Sequence, residues 1–224
     1  MKKSLFALAI FGAFTASAAQ AADIGATAEL GTTGIGAHIV VPVNEQLNAR
    51  FGINALNYNY STTANSTDYD FKLRLQTFDA LLDYYPAAAG SFRVTGGLAY
   101  NNNKIDGTAK PSAGGTYTFN GTTYSSASAG AVNGTVDFNK VAPYLGIGWG
   151  NAVAKNKGWG FTADIGVLFQ GSSSTTLTNS GCAAGTVICS ALASDLAAET
   201  AKVNDKANDF KYLPVLRIGA TYRF

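Results

Sequence analysis

The side chains that could do chemistry are few. His38 is the single histidine, so an imidazole acid or base working near neutral pH would have to be this one. Hydrolases of the His-Ser or His-Asp kind hold that base beside a nucleophile or an activated water. No His-x-Ser motif surrounds His38, which is flanked by Gly36, Ala37, Ile39 and Val40. It is expected in an interior polar network, and the chain is not expected to be an enzyme. Asp79 and Asp83 are four residues apart, so in a strand they share a face and could form an acid/base pair. The competing role is to neutralise arginines on the same side. Gly31-Thr32-Thr33-Gly34-Ile35-Gly36 is glycine-rich but lacks the Lys and the strand-turn-helix setting of a phosphate loop. No catalytic residue, metal site or cofactor follows from these motifs.

Cys182 and Cys189 are the only cysteines, and both lie in a polar Gly/Ser/Ala-rich stretch. Two thiols without a nearby His supply half of a zinc shell. In an exported chain they are expected to form a local disulfide. Export is indicated by the start of the sequence. Met1-Lys2-Lys3, the apolar run from Leu5 to Phe14 and then Ala19-Gln20-Ala21 have the three regions of a secretory signal peptide. Residues 1–21 are therefore expected to be removed, leaving residues 22–224 as one domain. Losing Lys2 and Lys3 takes the formal charge from +2 to zero, 14 basic against 14 acidic residues. That balance gives no reason to expect a nucleic-acid partner.

The elements that position these side chains are strands. In the last stretch, Phe210, Tyr212, Pro214, Leu216, Ile218, Ala220, Tyr222 and Phe224 fall on one side and Lys211, Arg217, Thr221 and Arg223 on the other. This period of two is that of a strand with one apolar face. The same alternation predicts strands over Ile24 to Leu30, Ile35 to Val41, Leu47 to Tyr60, Tyr69 to Tyr84, Phe92 to Tyr100, Phe138 to Trp149 and Trp159 to Gln170. A phase slip near Ala55-Leu56 predicts a β-bulge, and the phase changes again near Thr77. Pro143 and Pro214 remove ladder donors and predict bulges or an interrupted ladder. The connections at about 102–137 and 171–209 are long and polar. Within the second, Leu192, Leu196, Thr200 and Val203 recur at helical spacing, which predicts a helix over the barrel mouth.

Eight such strands could close into a membrane barrel or stack as a soluble sandwich. The polar faces carry Glu29, Arg50, Lys72, Arg74, Asp79, Asp83, Arg93, Asp164, Arg217 and Arg223, too many charges for a dry core between sheets. Aromatic residues gather at strand ends: Tyr84, Phe92, Trp149, Trp159 and Phe224 beside the short turns, and Tyr60, Tyr69, Tyr100, Phe138, Phe169 and Phe210 beside the other ends. Two interfacial girdles and alternately short and long connections are the outer-membrane pattern. The predicted fold is all-β, an eight-stranded antiparallel up-and-down transmembrane β-barrel. At that strand number the lumen is only wide enough for its own side chains. The expected lumen network is Glu29, Arg50, Arg74, Asp79, Asp83, Arg93, Asp164, Arg217 and Arg223.

The closing strand with Tyr222 and the terminal Phe224 resembles the C-terminal signal of bacterial outer-membrane β-barrels, which implies recognition by the barrel-assembly machinery. With Gly-aromatic runs such as Leu145-Gly146-Ile147-Gly148-Trp149, the mature chain resembles the small barrels of the OmpA transmembrane-domain, OmpX and OmpW type. That resemblance implies the outer membrane, with its lipid and lipopolysaccharide, as the setting. It leaves the role open between a structural or surface-interaction protein with a plugged lumen, its loops meeting an external ligand or host surface, a narrow conduit for small or hydrophobic solutes and, ranked last, a lipid-modifying barrel enzyme.

Overall fold

The computed structural model describes residues 24–64, 67–88, 90–111, 115–153 and 157–224. The expected signal peptide, residues 1–21, lies outside them. In chain order the elements are β1 (Gly25–Gly31), β2 (Gly34–Asn44), β3 (Leu47–Ala64), β4 (Thr67–Tyr84), β5 (Phe92–Asn101), β6 (Lys104–Lys110), β7 (Thr116–Phe119), β8 (Thr122–Ser125), α1 (Ser126–Ala129), β9 (Ala131–Asp137), β10 (Val141–Trp149), β11 (Gly158–Phe169), β12 (Ser174–Ser180), α2 (Thr186–Ala207) and β13 (Tyr212–Arg223). A 3-10 turn, Asn208–Lys211, joins α2 to β13.

Eight of these strands, β1-β2-β3-β4-β5-β10-β11-β13, form a closed antiparallel ring, because β13 pairs back onto β1 from Gly25↔Arg223 to Gly31↔Arg217. Closure removes the free edges that an open sheet would present. The ring belongs to an eleven-stranded sheet: β6, β9 and β12 extend it beyond the rim from the upper part of β4. This extension, the β7-β8 hairpin and α2 make up a crown above the ring.

Alternation decides what each face meets. Outward residues such as Phe51, Leu82, Leu98, Leu145, Ile165 and Ile218 are each more than half exposed. An apolar belt of that extent does not face water on a monomeric soluble domain. Its lower margin is aromatic, with edge-to-face contacts at 5.1 Å between Phe92 and Trp149 and between Trp159 and Tyr222. The upper margin holds Phe78, Tyr100, Phe169, Phe210 and Tyr212. Tyr69 and Phe138, expected there, instead turn inward to pack with buried apolar residues of the crown.

The predicted bulge near Leu56 is absent, and the backbone is also unbroken at the phase change near Thr77. The β3–β4 ladder runs without a register shift from Leu47↔Tyr84 to Ala64↔Thr67, and the stretch after Tyr60, expected as a polar loop, is part of it. What changes at that level is the chemistry of the two faces. On β4, Thr77, Asp79 and Asp83 point inward within the ring, whereas beyond it Tyr69, Phe71, Leu73 and Leu75 share that face and Lys72, Arg74 and Gln76 point out. β4 exchanges β5 for β6 as its neighbour at the same height. Above the rim the outer face meets water and the inner face packs a core, so the pattern inverts while the backbone continues unbroken. The two prolines each sit where one neighbour is lost: pairing of β10 with β11 begins at Tyr144, and pairing of β13 with β1 stops at Arg217. No bulge is needed.

The crown has its own core. The α2 residues Leu192 and Leu196 are buried with Tyr117, Phe119 and Tyr124 of the hairpin and with Ala109 and Val132 of β6 and β9. The helix therefore lies against the crown, not across the barrel mouth. Cys182 and Cys189 are disulfide-bonded, fastening the first turn of α2, whose N-terminal Gly185 supplies no side-chain cap.

Candidate functional site

The inward faces of the ring meet in a buried network of charge. Arg50 on β3 makes a two-pronged contact with Asp164 on β11, Nη1 to Oδ2 at 3.0 Å and Nη2 to Oδ1 at 3.1 Å. The same guanidinium reaches Asp83 at 3.2 Å and Glu29 at 3.4 Å. Arg93 on β5 donates to Asp164 at 2.8 Å and to Thr162 at 2.9 Å, and its other arm meets the Gly150 carbonyl. Arg217 on β13 donates to Asp79 on β4 at 3.3 Å and to Thr33 at 3.2 Å. All of these side chains are within 5% of full burial.

Two of these links cross the whole ring. β3 and β11 stand four strands apart in a circle of eight, as do β4 and β13, so Arg50–Asp164 and Arg217–Asp79 each span a diameter. Charged pairs held this far from water persist only when each charge is matched and hydrogen-bonded. Here one arginine serves several carboxylates and each aspartate has further partners: Asp83 accepts from Thr95 at 2.6 Å, and Asp79 from Asn54 at 2.9 Å.

His38 completes the network. Its Nε2 lies 3.0 Å from Asp79 and its Nδ1 3.4 Å from Glu29. The ring fits because its ladder partner is Gly52; a Cβ there would fall 2.0 Å from the imidazole. Glu29 likewise lies across its partner Gly219. A histidine between two carboxylates has the parts of an acid–base device, held here out of contact with solvent. His38 is fully buried, and the void beside Arg50 and Arg93 is about 10 Å³, room for no more than a water.

The lumen is not uniformly polar. Leu81, Ala99, Ala142, Tyr144, Leu168 and Val215 form a buried apolar cluster on the inward faces, which the sequence reading did not anticipate. Toward the crown, Asn101 and Asn103 share the Gln170 amide oxygen at 3.4 and 3.1 Å. Charged, apolar and amide groups together line the interior.

One predicted lumen residue is misplaced. Arg74 sits above the rim on the outer face of β4, 44% exposed, paired with Asp106. The phase change read near Thr77 assigned it to the interior, because the face inversion at Leu56↔Leu75 was not recognised. Arg223 is on the inward face and buried, at the short-turn end where it pairs with Gly25 and Gly158. Tyr222 and Phe224 stack edge to face at 5.1 Å on the outer wall. Among the described residues no group of three or more His, Cys, Asp or Glu side chains could hold a metal ion.

Two solved structures superpose on this architecture. CarO of Acinetobacter baumannii is 24% identical, with a TM-score of 0.56, and the match covers 90% of this chain and 98% of that one. CarO2 of Acinetobacter baumannii is 22% identical, with a TM-score of 0.58 over 91% and 99% of the two chains. Both are bacterial outer-membrane β-barrel proteins. This chain has their fold. No protein-family model and no curated protein matches the sequence. The likeness extends through the crown as well as the ring, since nearly the full length of each chain is aligned.

Proposed function

We propose that this protein is an integral outer-membrane β-barrel with a structural or surface-interaction role, its eight-stranded ring spanning the bilayer and its lumen plugged by charged side chains. The observation that carries this reading is the pair of diametral bridges, Arg50–Asp164 and Arg217–Asp79, set in an interior filled by its own side chains. A protein built as a pore keeps the centre of its ring open, whereas this one ties opposite walls together. The apolar belt between two aromatic margins supports the membrane setting. The likeness to CarO supports the same compartment, with a signal peptide and the barrel-assembly machinery as the route there. On this reading the protein is not an enzyme, the crown lies outside the cell, and lipopolysaccharide surrounds the ring's outer wall.

The test is conductance of purified, folded protein in planar bilayers. A plugged lumen predicts current at the level of protein-free bilayers. Sustained ion channels in the wild type would overturn the reading and favour the narrow conduit.

A further inference from the structure

Outside the lumen, the crown encloses a cavity of about 270 Å³. Its floor is the inner face of the extension sheet. In one cross-strand row the paired residues are Phe71, Gly107, Gly134 and Leu177, one each from β4, β6, β9 and β12. The rows on either side carry side chains at the two central positions, Ile105 with Val136 and Ala109 with Val132. In the middle row the two central positions are glycines, and the flanking Phe71 and Leu177 side chains lean over them. A Cβ on Gly107 would come within 3.0 Å of the Phe71 ring, and one on Gly134 within 2.6 Å of Leu177.

Glycine inside a strand weakens it and marks a place where something else approaches closely. Here the Phe71 ring approaches Gly107 and the Leu177 side chain approaches Gly134, and the cavity lies above them, lined by Phe119 of the hairpin and Val203 of the helix. A dry cavity of about 150 Å³ already admits benzene.

The wall contributed by α2 adds charge. Glu199 and Lys206 both line the cavity, seven residues and therefore about 10 Å apart along the helix. The Glu199 carboxylate is matched by Lys202 at 3.6 Å. Lys206 is in none of the ion pairs among the described residues.

We propose that this cavity binds a compact aromatic or branched apolar molecule bearing one carboxylate, with its apolar body against Phe71, Leu177 and Val203 and its carboxylate beside Lys206. The site is separate from the lumen and stands whether or not the ring conducts.

Folded protein in detergent, titrated with para-fluorobenzoate and followed by fluorine NMR, tests the assignment. Wild type is expected to give a saturable shift. Gly134→Leu crowds Leu177 up into the cavity from the floor and Val203→Trp fills the same space from the helix; both should abolish the saturable part. Micelle partitioning is common to every sample and cancels in the comparison. Unchanged heat-dependent gel mobility identifies the variants that retain the ring, and the two fillers reach the cavity from different elements, so a folding failure in one leaves the other. Lys206→Gln should weaken para-fluorobenzoate about two- to fivefold, the range for an exposed charge pair, and leave neutral para-fluorobenzyl alcohol unchanged. An identical response in wild type and fillers overturns the site. Equal benzoate binding by wild type and Lys206→Gln overturns the carboxylate.

Discussion

Arg50 and Asp164 are 114 residues apart in sequence and face each other across the full width of the ring, joined by two hydrogen bonds at 3.0 and 3.1 Å. The pair makes opposite walls one unit. Replacing Arg50 by Ala leaves Asp164, Asp83 and Glu29 buried with less positive charge, a change that costs about 3–5 kcal/mol in comparable buried pairs. The expected outcome is a large fall in the urea midpoint for loss of the heat-modifiable band. Replacing both partners with apolar residues, Arg50→Met with Asp164→Leu, should be less damaging than either single change.

A contrast between two arginines checks where the lumen ends. Arg93 is buried against Asp164 and Asp83, so Arg93→Ala should resemble Arg50→Ala. Arg74 is 44% exposed beside Asp106, and loss of a surface pair costs about 0–1 kcal/mol. Arg74→Ala should therefore leave the urea midpoint nearly unmoved. Equal losses at both positions would contradict the face inversion.

That inversion shows what could be seen in the sequence and what could not. The ring strands were legible because, within the ring, one side of each is largely apolar and exposed and the other largely polar and buried. The slips at Leu56 and Thr77 were legible too, but a bulge and a change in which face meets water leave the same trace in one strand. Only the unbroken pairing of β3 with β4 separates them. The lumen residues were visible as types; their partners were not, because the diametral contacts join positions 114 and 138 residues apart. The crown strands β6, β9 and β12 hid in Gly/Ser/Thr-rich sequence, since their alternation is weak and their neighbours are supplied by distant segments.

The membrane boundary on β4 can be mapped with spin labels at outward positions. Labels at Phe78, Ala80 and Leu82 should be relaxed by oxygen, which concentrates in lipid, and labels at Lys72, Arg74 and Gln76 by a water-soluble nickel chelate. The crossover should fall between Gln76 and Phe78, where outward residues change from polar to apolar. A uniform oxygen response along the strand would place the crown in the bilayer.

The contact of α2 with the hairpin should depend on pH. Asp195 accepts from the Tyr124 hydroxyl at 2.5 Å and from Asn120 at 3.1 Å. These bonds, that from Tyr124 first, hold its carboxyl below the ordinary 3.8. A carboxylate lowered in the folded state contributes stability that is present above 3.8 and lost as pH falls through the folded value. Desolvation and then Asp195 hold the Tyr124 hydroxyl above its ordinary 10.0, so its contribution is present below pH 10 and lost as pH rises past the folded value. Amide protection in α2, taken relative to the intrinsic exchange rate at each pH, should fall below about pH 4 and again at strongly alkaline pH. Asp195→Asn should remove the acid-side change.

The disulfide acts at the place where α2 is weakest. The helix begins after Gly185 with no side-chain cap, so its first amides lack the partner that a Ser or Asp would supply. Cys189, in that first turn, is tied to Cys182, which packs against the crown's core. Closing a loop with a sequence separation of 7 stabilises by about 2–3 kcal/mol on chain-entropy grounds. The segment held is local, and the ring closes independently of it through β1 and β13. Reduction, or Cys182→Ser with Cys189→Ser, should therefore raise proteolytic cleavage between Gly181 and Leu192 and speed amide exchange in the first turns of α2. The heat-modifiable band should keep its urea midpoint. A fall in that midpoint equal to that of Arg50→Ala would mean that the crown and the ring unfold as one unit.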